Sequence, residues 1–237
     1  MSKTTLYMSA VLLSAQLMIA HVAAERSEPA RPTWGPPENA VVLFNGKALT
    51  NWHQPDGKPA VWRVQNGAMT VTSGDIVTSE TFNDAFIHIE FRTPKMPEAS
   101  GQEKANSGVY LQGCYEIQVL DSYGIKIPGK GDCGAVYGQY APLVNACKPP
   151  LEWQSYDVIF RAARVDASGK VTEPPRVTVL QNGKVIQNNV EILGPTAGAM
   201  DRSIGQPGPL LLQDHGAPLQ YRNIWLVHLP PKGSDAY

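Results

Sequence analysis

Charge is scarce in this chain. Charged residues make up 17% of its 237 positions, below the roughly 25% usual in soluble domains. Neither sign predominates: 20 Lys and Arg stand against 21 Asp and Glu, a formal net charge of −1. A nucleic-acid protein needs a basic face to meet phosphates, and an electrostatic membrane binder needs a polybasic run. Both classes are excluded. Cysteine is limited to three, so at least one has no partner within the chain. Helical patterning is missing as well. No stretch keeps apolar residues at i, i+3, i+4 and i+7 over three turns without a Gly or Pro. There is no H-x-x-x-H or paired-Cys spacing of the zinc-site kind, and no fixed-period repeat of the propeller kind.

One apolar run exists, at the start. Lys3 precedes Leu6 to Ala20, which is broken only by Ser9, Ser14 and Gln16, and His21-Val22-Ala23-Ala24 follows. A basic start, an apolar run and small residues before the cut describe a secretory signal peptide over residues 1–24. The run is shorter than the roughly 20 residues of a spanning helix, and no later stretch is long enough to span. The expected product is exported, to the bacterial periplasm or the medium, with no membrane attachment after cleavage. Residues 25–38 carry Pro29, Pro32, Pro36 and Pro37, which block helix and ladder hydrogen bonds. They are expected to form an extended, mobile linker. The domain is expected over 39–230, with 231–237 a C-terminal tail.

What the domain does contain is alternation. Ile87, Ile89 and Phe91 interleave with His88, Glu90 and Arg92. Val109 to Gln112, Tyr115 to Val119 and Arg176 to Val179 repeat the period of two. Asn66-Gly67 and Asn182-Gly183 sit between apolar runs as hairpin turns. Gly (21) and Pro (20) are plentiful, together above the roughly 12% average. Short strands separated by turns predict an all-β sandwich or barrel.

The polar face of such strands carries the chemistry. The 88–92 strand offers His88, Glu90 and Arg92. The 109–112 strand offers Tyr110 and Gln112. The 115–119 strand offers Tyr115 in one register, or Glu116 and Gln118 in the other. Leu210 to Gly216 ends an apolar run in Gln213, Asp214 and His215, and Arg222 follows. Carboxylates, amides, Arg, His and Tyr on one face can form bidentate hydrogen bonds to a polyhydroxylated ligand, where a merely solvated face carries Lys, Glu, Ser and Thr.

Leu43-Phe44-Asn45-Gly46-Lys47 with Leu49 and Trp52 resembles the opening of the 3-keto-disaccharide hydrolase family. Asn106-Ser107-Gly108-Val109-Tyr110 and Tyr115-Glu116-Ile117-Gln118-Val119-Leu120-Asp121-Ser122 continue the resemblance. So do Gly134-Ala135-Val136-Tyr137, Glu152 to Asp157, Val179 to Gly183, Leu212 to Gly216 and Arg222-Asn223-Ile224. These blocks keep the family's order and cover nearly the whole chain after the linker. The resemblance implies a concanavalin- or laminarinase-like jelly-roll β-sandwich acting on glycosides or disaccharides whose sugar carries a ketone at carbon 3. Such a ketone acidifies the carbon-2 proton. Its removal gives an enolate that expels the aglycone, and addition of water makes the net result a hydrolysis. The site needs a base, a positive group or metal at the enolate oxygen, and an acid for the leaving oxygen.

The candidates follow. Glu116 is base or metal ligand, or a structural ion pair. Glu90 is the partner carboxylate, or half of an Arg–Glu clamp. His215 is base, acid or ligand, or a loop histidine on backbone. Arg92 and Arg222 suit the enolate or a hydroxyl, although Arg222 can equally pin the last strand. Asn106, Tyr110, Gln118, Tyr137 and Gln213 are expected substrate contacts. Trp153 is core or a sugar-stacking platform, and Asp121 a turn cap. No cofactor is fixed by these residues. A divalent ion stays open, with Glu116, His215 and Asp214 as candidate ligands. Laminarinase-like catalysis places acids at i, i+2 and i+4, where this strand holds Glu116, Gln118 and Leu120, so that mechanism has little support. Cys133 and Cys147 flank a loop and are the favoured disulfide, leaving Cys114 as a buried thiol. No protein partner is indicated. The rival from another class is a non-catalytic carbohydrate-binding module on the same face; a third reading is an inert structural domain.

Overall fold

In a computed structural model, residues 34–231 are described. The expected signal peptide, the linker up to residue 33 and the tail from 232 lie outside the described residues. In chain order the strands are β1 (Val41–Phe44), β2 (Trp52–His53), β3 (Arg63–Gln65), β4 (Ala68–Thr70), β5 (Ile76–Phe82), β6 (Ala85–Arg92), β7 (Ser107–Leu111) and β8 (Tyr115–Val119). They continue as β9 (Gln154–Arg161), β10 (Arg164–Val165), β11 (Val171–Glu173), β12 (Arg176–Gln181), β13 (Lys184–Glu191), β14 (Gly208–Leu212) and β15 (Gln220–His228). Among the described residues the only helical element is one 3-10 turn, Gly101–Glu103.

The strands form an antiparallel jelly-roll β-sandwich, as the alternation predicts. An eight-stranded sheet runs β13-β12-β9-β6-β15-β4-β3, with β1 also paired to β15. A five-stranded sheet runs β2-β5-β14-β7-β8. The minor pair β10-β11 stands apart. Both Asn-Gly turns form as the sequence demands. Asn66 and Gly67 have φ of 53° and 75°, and Asn182 and Gly183 have 52° and 78°, the double left-handed geometry of a two-residue hairpin.

The core lies between the sheets. The large sheet contributes Ile87, Ile89, Phe91, Tyr156, Val158, Phe160, Tyr221 and Ile224 to one continuous cluster. The small sheet contributes Val109, Leu111, Tyr115, Ile117, Val119, Leu210 and Leu212. Period-two alternation then sends the intervening residues to the two outer faces.

Two expectations need correction here. The polar faces do not meet water as those of a simple sandwich would. His88 and Glu90 on β6, and Gln118 on β8, are fully buried, because loops and aromatic side chains cover both outer faces. The segment before residue 39 is also not a free tether throughout. Trp34 packs its indole against Phe86, His88 and Trp225 at centroid distances of 5.8, 5.6 and 5.4 Å, and the Asn223 side chain donates to its carbonyl at 2.9 Å.

Candidate functional site

The site is built on the hairpin of β7 and β8. Register places Tyr110 opposite Glu116 and Gly108 opposite Gln118, so all four share the outer face of the small sheet. The second register anticipated for the 115–119 strand is the one adopted. β7 ends at Leu111, and Gln112 and Gly113 make the turn with φ of 53° and 68°. Gln112 therefore leaves the face, and its amide donates to the Phe82 carbonyl at 2.7 Å. Glycine is required at 108. A Cβ there would lie 2.6 Å from Glu116 Oε1 and 2.6 Å from the Tyr110 ring, so its absence gives the carboxyl room beside β7.

Loops roof this face. Gln118 donates through Nε2 to Gln102 Oε1 at 3.0 Å. Gln102 in turn donates to the Gly131 carbonyl at 2.8 Å. Asn106 donates to the Gln102 carbonyl at 2.9 Å. The Tyr137 N–H donates to the Glu116 carbonyl at 3.1 Å, which anchors Tyr137 beside the hairpin. From the other side, Thr196 Oγ1 accepts the Glu116 N–H at 3.0 Å. Met200 packs with Val77, Tyr110 and Leu211 in a small apolar patch.

Glu116 lies at the centre. Tyr110 Oη is 3.0 Å from Glu116 Oε2 and 2.8 Å from the Ala197 carbonyl, and Gln213 Nε2 donates to it at 3.1 Å. One phenolic proton can serve only one acceptor at a time. Given to the Ala197 carbonyl, it leaves Glu116 as the donor to Tyr110, which requires a protonated carboxyl. The Tyr110 hydroxyl then donates once and accepts from both Glu116 and Gln213. Burial acts in the same direction, raising the carboxyl from 4.5 to about 7, while a hydrogen bond from Tyr110 to the carboxylate opposes it. Burial and the neighbouring Glu116 hold the Tyr110 phenol above its ordinary range, so Tyr110 remains neutral.

The rim comes from two adjacent chain segments. β5 and β14 pair with Ile76 opposite Leu212, so residues just before β5 meet those just after β14. The Asp214 N–H donates to Asp75 Oδ1 at 2.8 Å, and the Gly74 N–H donates to Asp214 Oδ2 at 2.8 Å. His215 projects exposed from this clasp, close enough to Asp75 to favour its ionised form, although burial as the larger effect raises that carboxyl. Asp75, Gln102 and Thr196 are the residues missed by sequence reasoning. Asp75 directly precedes a strand and looks like a turn residue. Gln102 sits in the short 3-10 turn and Thr196 in a loop, neither with a periodic signal, and only the fold brings Gln102 to Gln118 and Thr196 to the Glu116 backbone.

The remaining candidates sit on the opposite side of the molecule. Glu90, Arg92, Arg222 and Trp153 occupy the outer face of the large sheet. Arg222 Nε donates to Glu90 Oε2 at 2.6 Å, and Asn223 donates to Glu90 Oε1 at 2.9 Å. A bulge in β15 between Arg222 and Trp225, with Asn223 at φ 47°, turns both side chains to the same carboxylate. The Arg92 and Arg222 guanidiniums stack on Trp153, 4.9 and 4.1 Å from its ring centroid. His88 Nδ1 is 2.6 Å from Asp157 Oδ1, and its Nε2 is 3.5 Å from Glu90 Oε1. Burial opposes the imidazolium, but these two carboxylates outweigh it and the histidine's pKa is raised. The expectation that Glu90, Arg92, Arg222 and Trp153 share a site with Glu116 is corrected: the hydrophobic core separates them. The clamp alternative describes Glu90 and Arg222, and Arg222 pins the last strand.

A metal does not fit the ligand set named from sequence. Asp214 Oδ1 and Oδ2 each accept a backbone N–H, from Gly216 and Gly74, and Glu116 is engaged by Tyr110. Among the described residues no three His, Cys, Asp or Glu converge on a point that could hold an ion. Asp121 caps its turn through the Tyr123 N–H at 3.2 Å. The three cysteines are free thiols, so the favoured disulfide is not formed in this structure, although Cys133 and Cys147 are brought side by side.

Residues 39–227 match the 3-keto-alpha-glucoside-1,2-lyase-like domain. The chain is similar to a candidate glycosyl hydrolase from Parabacteroides distasonis, with 40% identity, a TM-score of 0.76, and coverage of 82% of this chain and 86% of that one. A second candidate glycosyl hydrolase from the same organism shares the fold, at 24% identity and a TM-score of 0.59, covering 81% of this chain and 95% of that one. No curated protein matches the chain. A domain match over most of the length and a 40% identical relative over the same span lead to one conclusion: the chain belongs to the 3-keto-alpha-glucoside-1,2-lyase-like domain family, a glycosyl-hydrolase-like group of carbohydrate-active proteins.

Proposed function

We propose that the protein is an exported enzyme that cleaves 3-keto-glycosides or 3-keto-disaccharides by ketone-assisted elimination, followed by hydration. The observation that carries this reading is the Glu116 carboxyl. It is buried, bonded to the Tyr110 hydroxyl, and raised to about 7, where it can hold and release a proton near neutrality.

In this scheme the substrate's carbon-3 ketone makes the carbon-2 proton acidic and so replaces the oxocarbenium route of an ordinary glycosidase. Loss of the carbon-2 proton gives an enolate, and the anomeric bond breaks as the enolate collapses to an enone. His215, exposed on the rim beside Asp75, takes the carbon-2 proton. Glu116 supplies a proton to the departing glycosidic oxygen, and Tyr110 and Gln213 hold that carboxyl in place. The Gln213 amide, half-buried and with one proton beyond that given to Tyr110, offers a donor for a sugar hydroxyl or the enolate oxygen, while Asn106 and Gln118 hold the Gln102 turn beside it. Water then adds at carbon 1 of the enone, giving a proton to the deprotonated Glu116, and His215 returns its proton to carbon 2, so both groups regain their starting states. A two-carboxylate hydrolysis across the sugar is less well supported, because the opposite carboxylate expected at Glu90 lies beyond the core.

The test uses two chromogenic glucosides that differ only in a carbon-3 ketone. Release of the aglycone from the keto form alone, lost in Glu116→Gln, is the expected result. Equal release from both would point to an ordinary glycosidase. Release from neither, with a thermal shift on adding sugar, would favour a carbohydrate-binding module.

A further inference from the structure

Cys133 and Cys147 lie apart in sequence but meet at one amide. Gln181 Nε2 is 3.5 Å from Cys133 Sγ and 3.4 Å from Cys147 Sγ, and it also faces Gln154 Oε1 at 3.1 Å. An amide has two protons for these three acceptors, while Gln181 Oε1 has no hydrogen-bond partner among the described residues. The thiols are therefore held together in a pocket whose hydrogen bonds do not close. The two sulfurs differ in access. Cys133 is 1% exposed, whereas Cys147 is partly open to solvent.

The pair abuts the back of the candidate site. Cys133 Sγ is 3.0 Å from Tyr156 Oη, and that hydroxyl donates to the Gln118 carbonyl at 2.7 Å. The Gly134 N–H donates to the same carbonyl at 2.9 Å. Gln118 belongs to β8, and its side chain reaches toward Gly131, two residues before Cys133.

We propose that Cys133 and Cys147 form a thiol–disulfide exchange site that, when oxidised, closes the 133–147 loop on itself and stiffens its hydrogen bonds to the strand carrying Glu116 and Gln118. The oxidant is a disulfide, either a small molecule or a protein. The accessible Cys147 sulfur loses its proton and attacks it, forming a mixed disulfide and releasing one thiol. The Cys133 sulfur, as thiolate, then attacks Cys147 Sγ and expels the second thiol. Two thiol protons leave the protein, one disulfide forms, and the oxidant's disulfide is reduced to two thiols. Burial opposes a Cys133 thiolate, but hydrogen bonds from Cys147, the Leu120 backbone and Gln181 lower its pKa overall, which suits it to the second step; the contact with Cys133 and burial raise the Cys147 thiol, so the first attack is the slow step and quickens as pH rises.

The experiment incubates the whole chain with oxidised glutathione, then denatures it in an alkylating reagent for mass analysis and peptide mapping. After oxidation one of the three cysteines, Cys114, should be alkylated, and one linked peptide should join Cys133 to Cys147. The melting temperature should rise by about 5 °C or more, and amide exchange at Gly134 should slow. Cys133→Ser should trap glutathione on Cys147, and Cys147→Ser should trap none on Cys133. Three alkylated cysteines after oxidation, or a linked peptide containing Cys114, would overturn the proposal. Unchanged Gly134 exchange in the bridged protein would overturn its link to the site. If Cys133→Ser fails to fold, the wild-type peptide map still decides. No readout uses glycoside cleavage, so this inference and the proposed activity stand or fall separately.

Discussion

The outer faces of the two sheets use similar residue types to opposite ends. Each carries a buried glutamate, Glu90 on an inner strand of the large sheet and Glu116 on the edge strand of the small one. Glu90 accepts from a guanidinium and an amide and lies 3.5 Å from the His88 imidazole, so its negative charge is neutralised and its position locked. Among the described residues the Glu116 carboxyl meets one hydroxyl and no cation, so burial favours the protonated form. A carboxylate clamped by Arg222 stabilises the fold but has no proton to give. A carboxyl held by Tyr110 alone retains one near neutral pH. The chemistry follows from the partners rather than from the glutamate itself.

The contrast can be broken most sharply at Glu116. Glu116→Gln keeps the shape and removes the acid, so turnover of a 3-keto-glucoside should fall by about 10²- to 10⁴-fold, with the melting temperature unchanged or raised. Chromogenic assays with a parallel thermal scan measure both. On the other face, Glu90→Ala should behave inversely. It removes the carboxylate facing Arg222 and Asn223 from a buried pair, at a cost of about 3–5 kcal/mol, while the kcat of the surviving folded protein stays within about twofold of wild type. A drop in kcat as large as that of Glu116→Gln would mean that both faces serve the reaction.

Next in size is a pH effect. Glu116 is raised from 4.5 to about 7, so the folded state binds this proton more tightly than the unfolded state does. Its contribution is fully present below pH 4.5 and is lost as pH rises through about 7. The total is about 3 kcal/mol. Denaturant unfolding of wild type and Glu116→Gln at pH 5 and pH 8 should diverge by about 2.5 kcal/mol in the variant's favour at the higher pH, the remainder being lost already below pH 5, with the groups on the Glu90 face cancelling in the comparison. The smallest effect is expected at Tyr110→Phe. Loss of the hydroxyl costs about 1 kcal/mol of stability and leaves the carboxyl less well placed. The kcat should fall about tenfold with KM nearly constant. A change confined to KM would instead make Tyr110 a substrate contact.

Much of the fold was legible because β-strands declare their faces locally. Ile87, Ile89 and Phe91 had to share one side, and Asn66-Gly67 and Asn182-Gly183 had to turn. Glu116 and Gln118 were legible as neighbours for the same reason, since i and i+2 on a strand must project together. The partition of the candidates was not legible. Period two says that Glu90 and Arg92 face away from Ile89, but not which sheet β6 joins, and two sheets back to back have two outer faces. Nor does it say what covers those faces. Glu90 and Gln118 read as exposed polar positions, yet both are fully buried, because loops distant in sequence close over them.

The sequence by itself determined the all-β class, the hairpin turns, the family and the pairing of Glu116 with Gln118, since each depends on residues within a few positions of one another. Only the tertiary structure decided that Glu116 stands with Tyr110, Gln213 and Asp75 rather than with Glu90, that Arg222 is a clamp, and that Cys133 and Cys147 meet at Gln181. Those outcomes depend on which distant segments pack together, and packing is set by the whole core.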